Sequence, residues 1–323
     1  MDKTLWADRG QLLQLDPADG GGQMAATAAT CIGISRLGSA QLSPQVFTLW
    51  VQLRGSSWVE AREGRFRLRR GEWIAFERDS RPQLQTDRHG VCIGISLGAD
   101  ALKAAGRGRV PDLGLHTGRG GLDKREARIL LRLWRAAGRR LATLNSADGA
   151  AEIAALRPLL LQLAVIQGDL SGRIARCPGR SGARKRQVFG RLQRAYMYLE
   201  GNCDRVVRIG ELAELTSFSS WYFSKTFHAL YGESPQAASA RMRLERAADL
   251  LDNSQMMIGE VAAASGFDNC CSFARAFRAR YGVSATGYRN AARKLAMSTL
   301  PTLSTVTSRT DSAKSAGLGR KAA

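Results

Sequence analysis

The chain has only three histidines, His89, His116 and His228, and no two of them stand at metal-ligand spacing, so a metal centre is not expected. Its six cysteines, Cys31, Cys92, Cys177, Cys203, Cys270 and Cys271, form no spaced framework, which argues against a disulfide scaffold and for thiols kept reduced. No apolar run approaches the length of a bilayer span, and MDKTLWADRG at residues 1–10 lacks a secretory hydrophobic stretch. The expectation is a cytoplasmic protein with no membrane partner. Acidic residues are also scarce: 28 Asp and Glu stand against 48 Lys and Arg, a formal net charge of +20. Residues 171–194 hold eight basic side chains and no acidic one. Such a balance favours a polyanionic partner, either nucleic acid or an anionic membrane surface. The second option would want an amphipathic basic helix with a clean apolar face, and none accompanies the basic stretch.

With 323 residues and 44% hydrophobic content, the chain is long enough for several domains. Residues 31–97 carry short segments of period-2 alternation separated by Gly-bearing turns: FTLWVQLRG, SSWVEAREG, RFRLRRGEWIAFE and GVCIGISL. Strands at that spacing predict a small antiparallel barrel or jelly roll. From Asp123, a candidate N-cap, the period becomes helical through Ile129, Leu130, Leu133, Trp134, Ala137 and Leu141. A second apolar segment, 152–167, is expected to start or kink at Pro158. Residues 171–186 read as a Gly-rich basic linker, and 294–323 as a disordered tail.

Within 187–293 the sequence repeats. Ile209, Glu211, Ala213 and Phe218 recur as Ile258, Glu260, Ala262 and Phe267; Phe223, Phe227, Tyr231, Gly232 and Ser234 recur as Phe273, Phe277, Tyr281, Gly282 and Ser284. Each copy reads as a short helix, a turn and a second helix ending at Tyr-Gly, the helix-turn-helix pattern whose second helix enters a DNA major groove. Helical phase turns Phe223, Phe227, Phe273 and Phe277 inward. It leaves Trp221, Ser224, Lys225 and His228, and in the second copy Cys271, Arg275 and Arg278, facing out. Between the copies, 236–255 reads as one linking helix, long enough to set the two reading helices about 34 Å apart, one turn of B-DNA.

These residues resemble the DNA-binding domain of the AraC/XylS family of bacterial transcription regulators. The resemblance is carried by Arg243-Leu244-Glu245-Arg246-Ala247, Ile258-Gly259-Glu260-Val261-Ala262, Gly266-Phe267, Phe273-Ala274-Arg275-Ala276-Phe277-Arg278, Tyr281-Gly282-Val283-Ser284 and Tyr288-Arg289. Two positions depart from it: Ala238 stands where the family has an aromatic residue after the first copy, and Ala285 where it has proline after the second. The resemblance implies base contacts from Trp221, Ser224 and Lys225 and from Cys270, Cys271, Ser272 and Arg275, with Arg278 nearer the phosphates. Asp268 is expected to cap the second reading helix. For residues 1–170 the resemblance implies a cupin-like, effector-sensing barrel followed by dimerising helices, with Trp50, Trp58 and Trp73 as candidate ligand contacts.

The implied protein is multidomain: a β-rich cupin-like or jelly-roll domain with following helices, then an all-α domain of two helix-turn-helix units joined by a linker helix. It would be a nucleoid-associated homodimer that binds double-stranded promoter DNA and RNA polymerase, answers a small-molecule effector, and needs no cofactor. Enzymatic alternatives rest on single cysteines. GVCIG at 90–94 fits a nucleophile elbow at Cys92, with His89 and His116 as bases, yet VCIGISL reads as continuing strand. A DNA-alkylation-repair role would want clustered cysteines near the N-terminus, where Cys31 stands alone. No catalytic residue is therefore expected.

Overall fold

The computed structural model describes residues 4–15, 29–99, 101–102, 115–144 and 149–298. Eleven strands among them form two sheets: β1 (Thr4–Ala7), β2 (Leu12–Leu15), β3 (Ala29–Ser35), β4 (Ser39–Leu42), β5 (Phe47–Arg54), β6 (Ser56–Ala61), β7 (Gly64–Arg69), β8 (Glu72–Phe76), β9 (Gln83–Thr86), β10 (Val91–Leu97) and β11 (Gly118–Gly121). The first sheet runs β1-β3-β10-β5-β8-β11 and the second β2-β4-β9-β6-β7. β1 and β2 pair parallel to β3 and β4, while every other pairing is antiparallel. The β-rich domain is thus as expected in kind, although it begins at Thr4 rather than near residue 31 and gains β11 beyond residue 97.

The two sheets close on a core of Ile32, Ile34, Trp50, Phe66, Leu68, Ile74 and Phe76, each at most 2% exposed. The first sheet is apolar on both faces, which explains the nearly unbroken apolar runs of β5 and β10. Its outer face, with Leu49, Val51, Ile93 and Ile95, is covered by α1 (Lys124–Thr143) and α2 (Gly149–Ile166) through Leu130, Trp134, Leu156, Leu159 and Leu163. Gly94 lies opposite Trp50; a side chain there would meet the Trp50 ring at 2.5 Å, and the Gly94 carbonyl accepts a hydrogen bond from Trp134 Nε1 (2.8 Å). Asp123 caps α1 as expected, accepting from the amides of Arg125 and Glu126. Pro158 does not start α2: the helix begins at Gly149 and runs through the proline, because four buried leucines around it outweigh its one missing donor.

The stretch expected as a linker is also helical. It carries the end of α3 (Gly168–Arg176) and the start of α4 (Gly182–Gly201), whose N-cap Ser181 accepts from the Arg184 amide (3.2 Å). Buried Leu170 and Cys177 tie this segment to the rest, while arginines, good helix formers, line its wet side. The helices α5 (Ile209–Thr216), α6 (Ser220–Tyr231), α7 (Pro235–Asn253), α8 (Ile258–Ala264), α9 (Cys270–Tyr281) and α10 (Ala285–Ser298) complete the all-α domain. Of the expected tail, 294–298 belongs to α10 and 299–323 lies outside the described residues.

The β-rich domain and the helical domain meet along α4. Met197 of α4 is fully buried in the inter-sheet core. Arg194 pairs with Glu63 (3.2 Å) and Asp79 (3.1 Å), and Asn202 Nδ2 donates to the Glu63 carbonyl (2.9 Å). A side chain on Gly64, at φ +127, would come within 2.5 Å of the Gly201 backbone, so only glycine permits this approach.

Candidate DNA-binding surface

Each reading unit is assembled by the same devices. α6 begins at Ser219, whose hydroxyl accepts from the Tyr222 amide (3.3 Å); α9 begins at Asn269, whose Oδ1 accepts from Cys271 (2.8 Å) and Ser272 (2.9 Å). Asp268 is therefore not the cap: Asn269 has the extended backbone and amide reach that position needs. Both helices end on a glycine at φ +77, Gly232 and Gly282. Ser234 caps α7, with Pro235 in its first turn, and Ser284 accepts from the Gly287 amide (3.1 Å) at the start of α10. Ala285 in place of proline thus leaves the helix start intact. The repeated glutamate is a helix-start device too. Glu211 accepts from the Arg208 amide (3.0 Å) and Glu260 from the Met257 amide (2.7 Å).

Inward stripes fix which face is free. Phe223, Phe227, Phe273 and Phe277 are fully buried. Trp221 is 69% exposed, and Lys225, His228, Cys270, Cys271, Arg275 and Arg278 are exposed; Ser224 and Ser272 are half-buried. All nine expected contact residues thus lie on the outer sides of α6 and α9. Lys225 Nζ sits 4.8 Å from the Trp221 ring centroid, a cation–π contact one helical turn apart that orders both side chains.

The three candidate ligand tryptophans do not share a cavity. Trp50 lies in the inter-sheet core, Trp73 in the core beneath α1 and α2, and Trp58 is 52% exposed on the outer side of β6. Strand alternation is the reason, since a one-residue change of phase sends a side chain to the opposite face. Cys92 is fully buried within β10, and burial pushes its thiol far above the usual range. No elbow forms there. Cys31 is likewise buried, its thiol pushed up to about 12. Among the described residues no group of three or more His, Cys, Asp or Glu side chains converges as a metal site.

Sequence reasoning missed that the repeat has three helices, not two. Arg191-Leu192 and Ala195 of α4 recur as Arg243-Leu244 and Ala247 of α7, with Leu199 recurring as Leu251. Arg191 Nη1 donates to the Thr216 carbonyl (3.2 Å) and lies 5.4 Å from the Phe218 ring centroid. Arg243 Nε donates to the Ser265 carbonyl (3.0 Å) and lies 4.2 Å from Phe267. Each arginine satisfies carbonyls at the end of α5 or α8, the middle helix of its unit, and clamps the turn that follows. The string RLQRA at 191–195 against RLERA at 243–247 was the available signal. The Ala238 departure is also compensated. Tyr288 packs on Phe277 (5.5 Å) and Tyr281 (5.3 Å) in the second unit; in the first, Tyr196 of α4 supplies the ring, 4.6 Å from Tyr231.

Two helix-turn-helix units sharing one linking helix, each with its second helix exposed, define the class: a double helix-turn-helix domain behind a β-rich domain. A helix-turn-helix domain family profile matches residues 212–291. A curated relative, a probable transcriptional regulator called LumQ from Photobacterium leiognathi, is 30% identical over 92 residues, 28% of this chain and 37% of its own. The transcriptional regulator Rv1931c of Mycobacterium tuberculosis is 34% identical over 84 residues, 26% of this chain and 32% of its own. The chain therefore spans about a third of the length of these relatives. A solved structure of a probable AraC family regulator from Rhodopseudomonas palustris is 31% identical, covering 32% of this chain and 96% of that one, with a TM-score of 0.30. Residues 212–291 are thus similar to the DNA-binding part of these transcriptional regulators.

Proposed function

We propose that the chain is a sequence-specific DNA-binding regulator that sets α6 and α9 into two successive major-groove segments of double-stranded promoter DNA. The observation that carries this is the exposed last helix, α6 and then α9, presented twice by the same three-helix unit. α7 has 19 residues, about 28 Å of helix, and its two halves belong to the two units' cores: Ala238 and Met242 pack with the first, Leu244, Ala247 and Leu251 with the second. Arg275 would bind guanine O6 and N7, and Lys225 guanine or phosphate; Trp221, Cys270 and Cys271 offer apolar contact to thymine methyls, and Ser224, Ser272 and His228 hydrogen bonds. Arg278, one turn further along, would hold the backbone.

The finer reading is an effector-responsive activator, acting as a nucleoid-associated homodimer and touching RNA polymerase. It divides the chain into a sensing and dimerising part over 1–170 and a DNA-binding part over 187–293. Leu161 and Val165, exposed on α2, support a second copy seating there. The enzymatic alternatives lose their footing with Cys92 and Cys31 buried. The deciding experiment is a mobility shift on the DNA upstream of the chain's own gene. Arg275→Ala should weaken specific binding by about 1–3 kcal/mol and relax preference at one base pair, whereas Arg278→Ala should weaken all sequences alike. Binding without sequence preference in the intact protein would refute the reading.

A further inference from the structure

The space between the two sheets is filled by Trp50, Phe66, Phe76 and their neighbours, and Met197 of α4 closes it. The outer face of the second sheet is different. An open groove of about 580 Å³ runs along it, lined by β4, β6 and β9 and bounded by Arg246 of α7. Alternation along β6 and β9 sends Val59 and Leu84 into the core and leaves Trp58, Glu60, Gln83 and Gln85 outward. Register sets Trp58 opposite Gln85 and Glu60 opposite Gln83, so the four form one block. Arg65 and Arg246 add positive charge at the rim.

We propose that this groove binds a purine mononucleotide. Trp58 is half exposed, a flat apolar ring on which a base can stack. Gln83 and Gln85 are amides, able to donate and accept together at a purine edge as an adenine requires. Glu60 accepts from ribose hydroxyls, and Arg65 and Arg246 match a phosphate in bidentate geometry. The Arg65–Glu60 pair that ties up these groups is long (3.4 Å) and exposed on both sides, so a ligand displaces it at little cost. Arg67 stands 5.8 Å from the Trp58 ring centroid, and its buried Nε has no hydrogen-bond partner, an unmet donor beside the platform. The groove's size lies within the usual range for small-molecule sites. A purely apolar ligand would strand the amides and charges; an inorganic anion would leave Trp58 and both glutamines unused. Arg246 Nε also donates to the carbonyl of Ala264 at the end of α8 (2.9 Å), so Arg246 itself would link a phosphate it holds to the second helix-turn-helix unit.

The test is calorimetric titration of the full chain with adenosine 5′-monophosphate, beside adenosine and inorganic phosphate. The nucleotide should bind saturably at one site, adenosine more weakly and phosphate far more weakly. Trp58→Ala should weaken the nucleotide by about tenfold or more, Trp58→Phe should restore most of it, and Arg246→Ala should affect the nucleotide but not adenosine. No saturable heat, equal binding of phosphate alone, or indifference to Trp58→Ala would each overturn the site. None of these readings uses DNA, so failure here is separate from failure of the mobility shift.

Discussion

Met197→Ala tests how firmly the first reading unit is built into the β-rich domain. Met197 belongs to α4, yet its side chain is fully buried in the inter-sheet core with Trp50, Phe66 and Phe76. Truncating a buried methionine to alanine costs about 2–5 kcal/mol, depending on how far the site collapses. Collapse is restricted here. The neighbours include large rings, and Gly64 and Gly201 already touch backbone to backbone, where an added methyl group would sit 2.5 Å away. The cost should therefore fall in the upper part of that range, about 3–5 kcal/mol, or about two to four decades in the folding equilibrium. Urea titration followed by tryptophan fluorescence and by helical circular dichroism is the assay, since all six tryptophans but Trp221 lie before α4. Both signals should move together to lower urea, while Met197→Leu, which keeps volume, should cost under about 1.5 kcal/mol. A loss below about 1 kcal/mol for Met197→Ala, or a shift in only one signal, would refute the claim that α4 joins the two domains into one cooperative unit.

Ser217 holds φ +52 at the turn of the first unit, where the second has Gly266 at φ +73; Ser217→Gly should relieve strain and raise the unfolding free energy by up to about 1 kcal/mol, read as a higher urea midpoint, and an unchanged or lowered midpoint would count against it. Glu63 is buried, and desolvation outweighs Ser80 and Arg194, so its carboxyl is raised above its ordinary 4.5. Its stabilising contribution is then present below that value and lost as pH rises through the folded value, so Glu63→Gln should gain relative to the intact protein in urea midpoints as pH rises above 4.5. A relative loss over that window would show the Arg194 pair to be dominant. Native alkylation with iodoacetamide, read by mass spectrometry, should mark exposed Cys270 and Cys271 and spare Cys31, Cys92, Cys177 and Cys203 until the chain unfolds.

The helical half was legible because its signals are local. Phe223 and Phe227, Phe273 and Phe277 stand one turn apart, Gly232 and Gly282 end the helices they follow, and the outward residues are simply those left over. The β-rich half was legible as strands but not as faces. Trp50, Trp58 and Trp73 look alike in sequence, and their separation into two cores and the solvent follows from pairings between β5, β6, β8 and β10 that no short window records. β1, β2 and β11 escaped because each has only four residues, too few to show a period. The basic stretch 171–186 was misread because glycine and arginine outweighed Leu170 and Cys177, whose burial depends on partners far along the chain. Asp268 and Asn269 are both good caps by type, and only backbone geometry separates them.

The three-helix repeat also explains why its two copies are not interchangeable. Arg191 and Arg243 do the same work, clamping the turn of their own unit. Three residues on, the copies diverge: Arg246 keeps to its unit and caps α8 at Ala264, whereas Arg194 is turned away to Glu63 and Asp79 of the β-rich domain. The next matched pair diverges as well, with Met197 buried between the sheets and Asp249 at the surface of α7, paired to Arg69 of β7. One face of the repeated helix thus serves a buried interface in the first unit and a solvated ion pair in the second. A buried side chain in a packed core costs several kcal/mol to remove, while an exposed pair contributes about 1 kcal/mol or less. The first unit is consequently fixed to the β-rich domain, and the second is held mainly through α7.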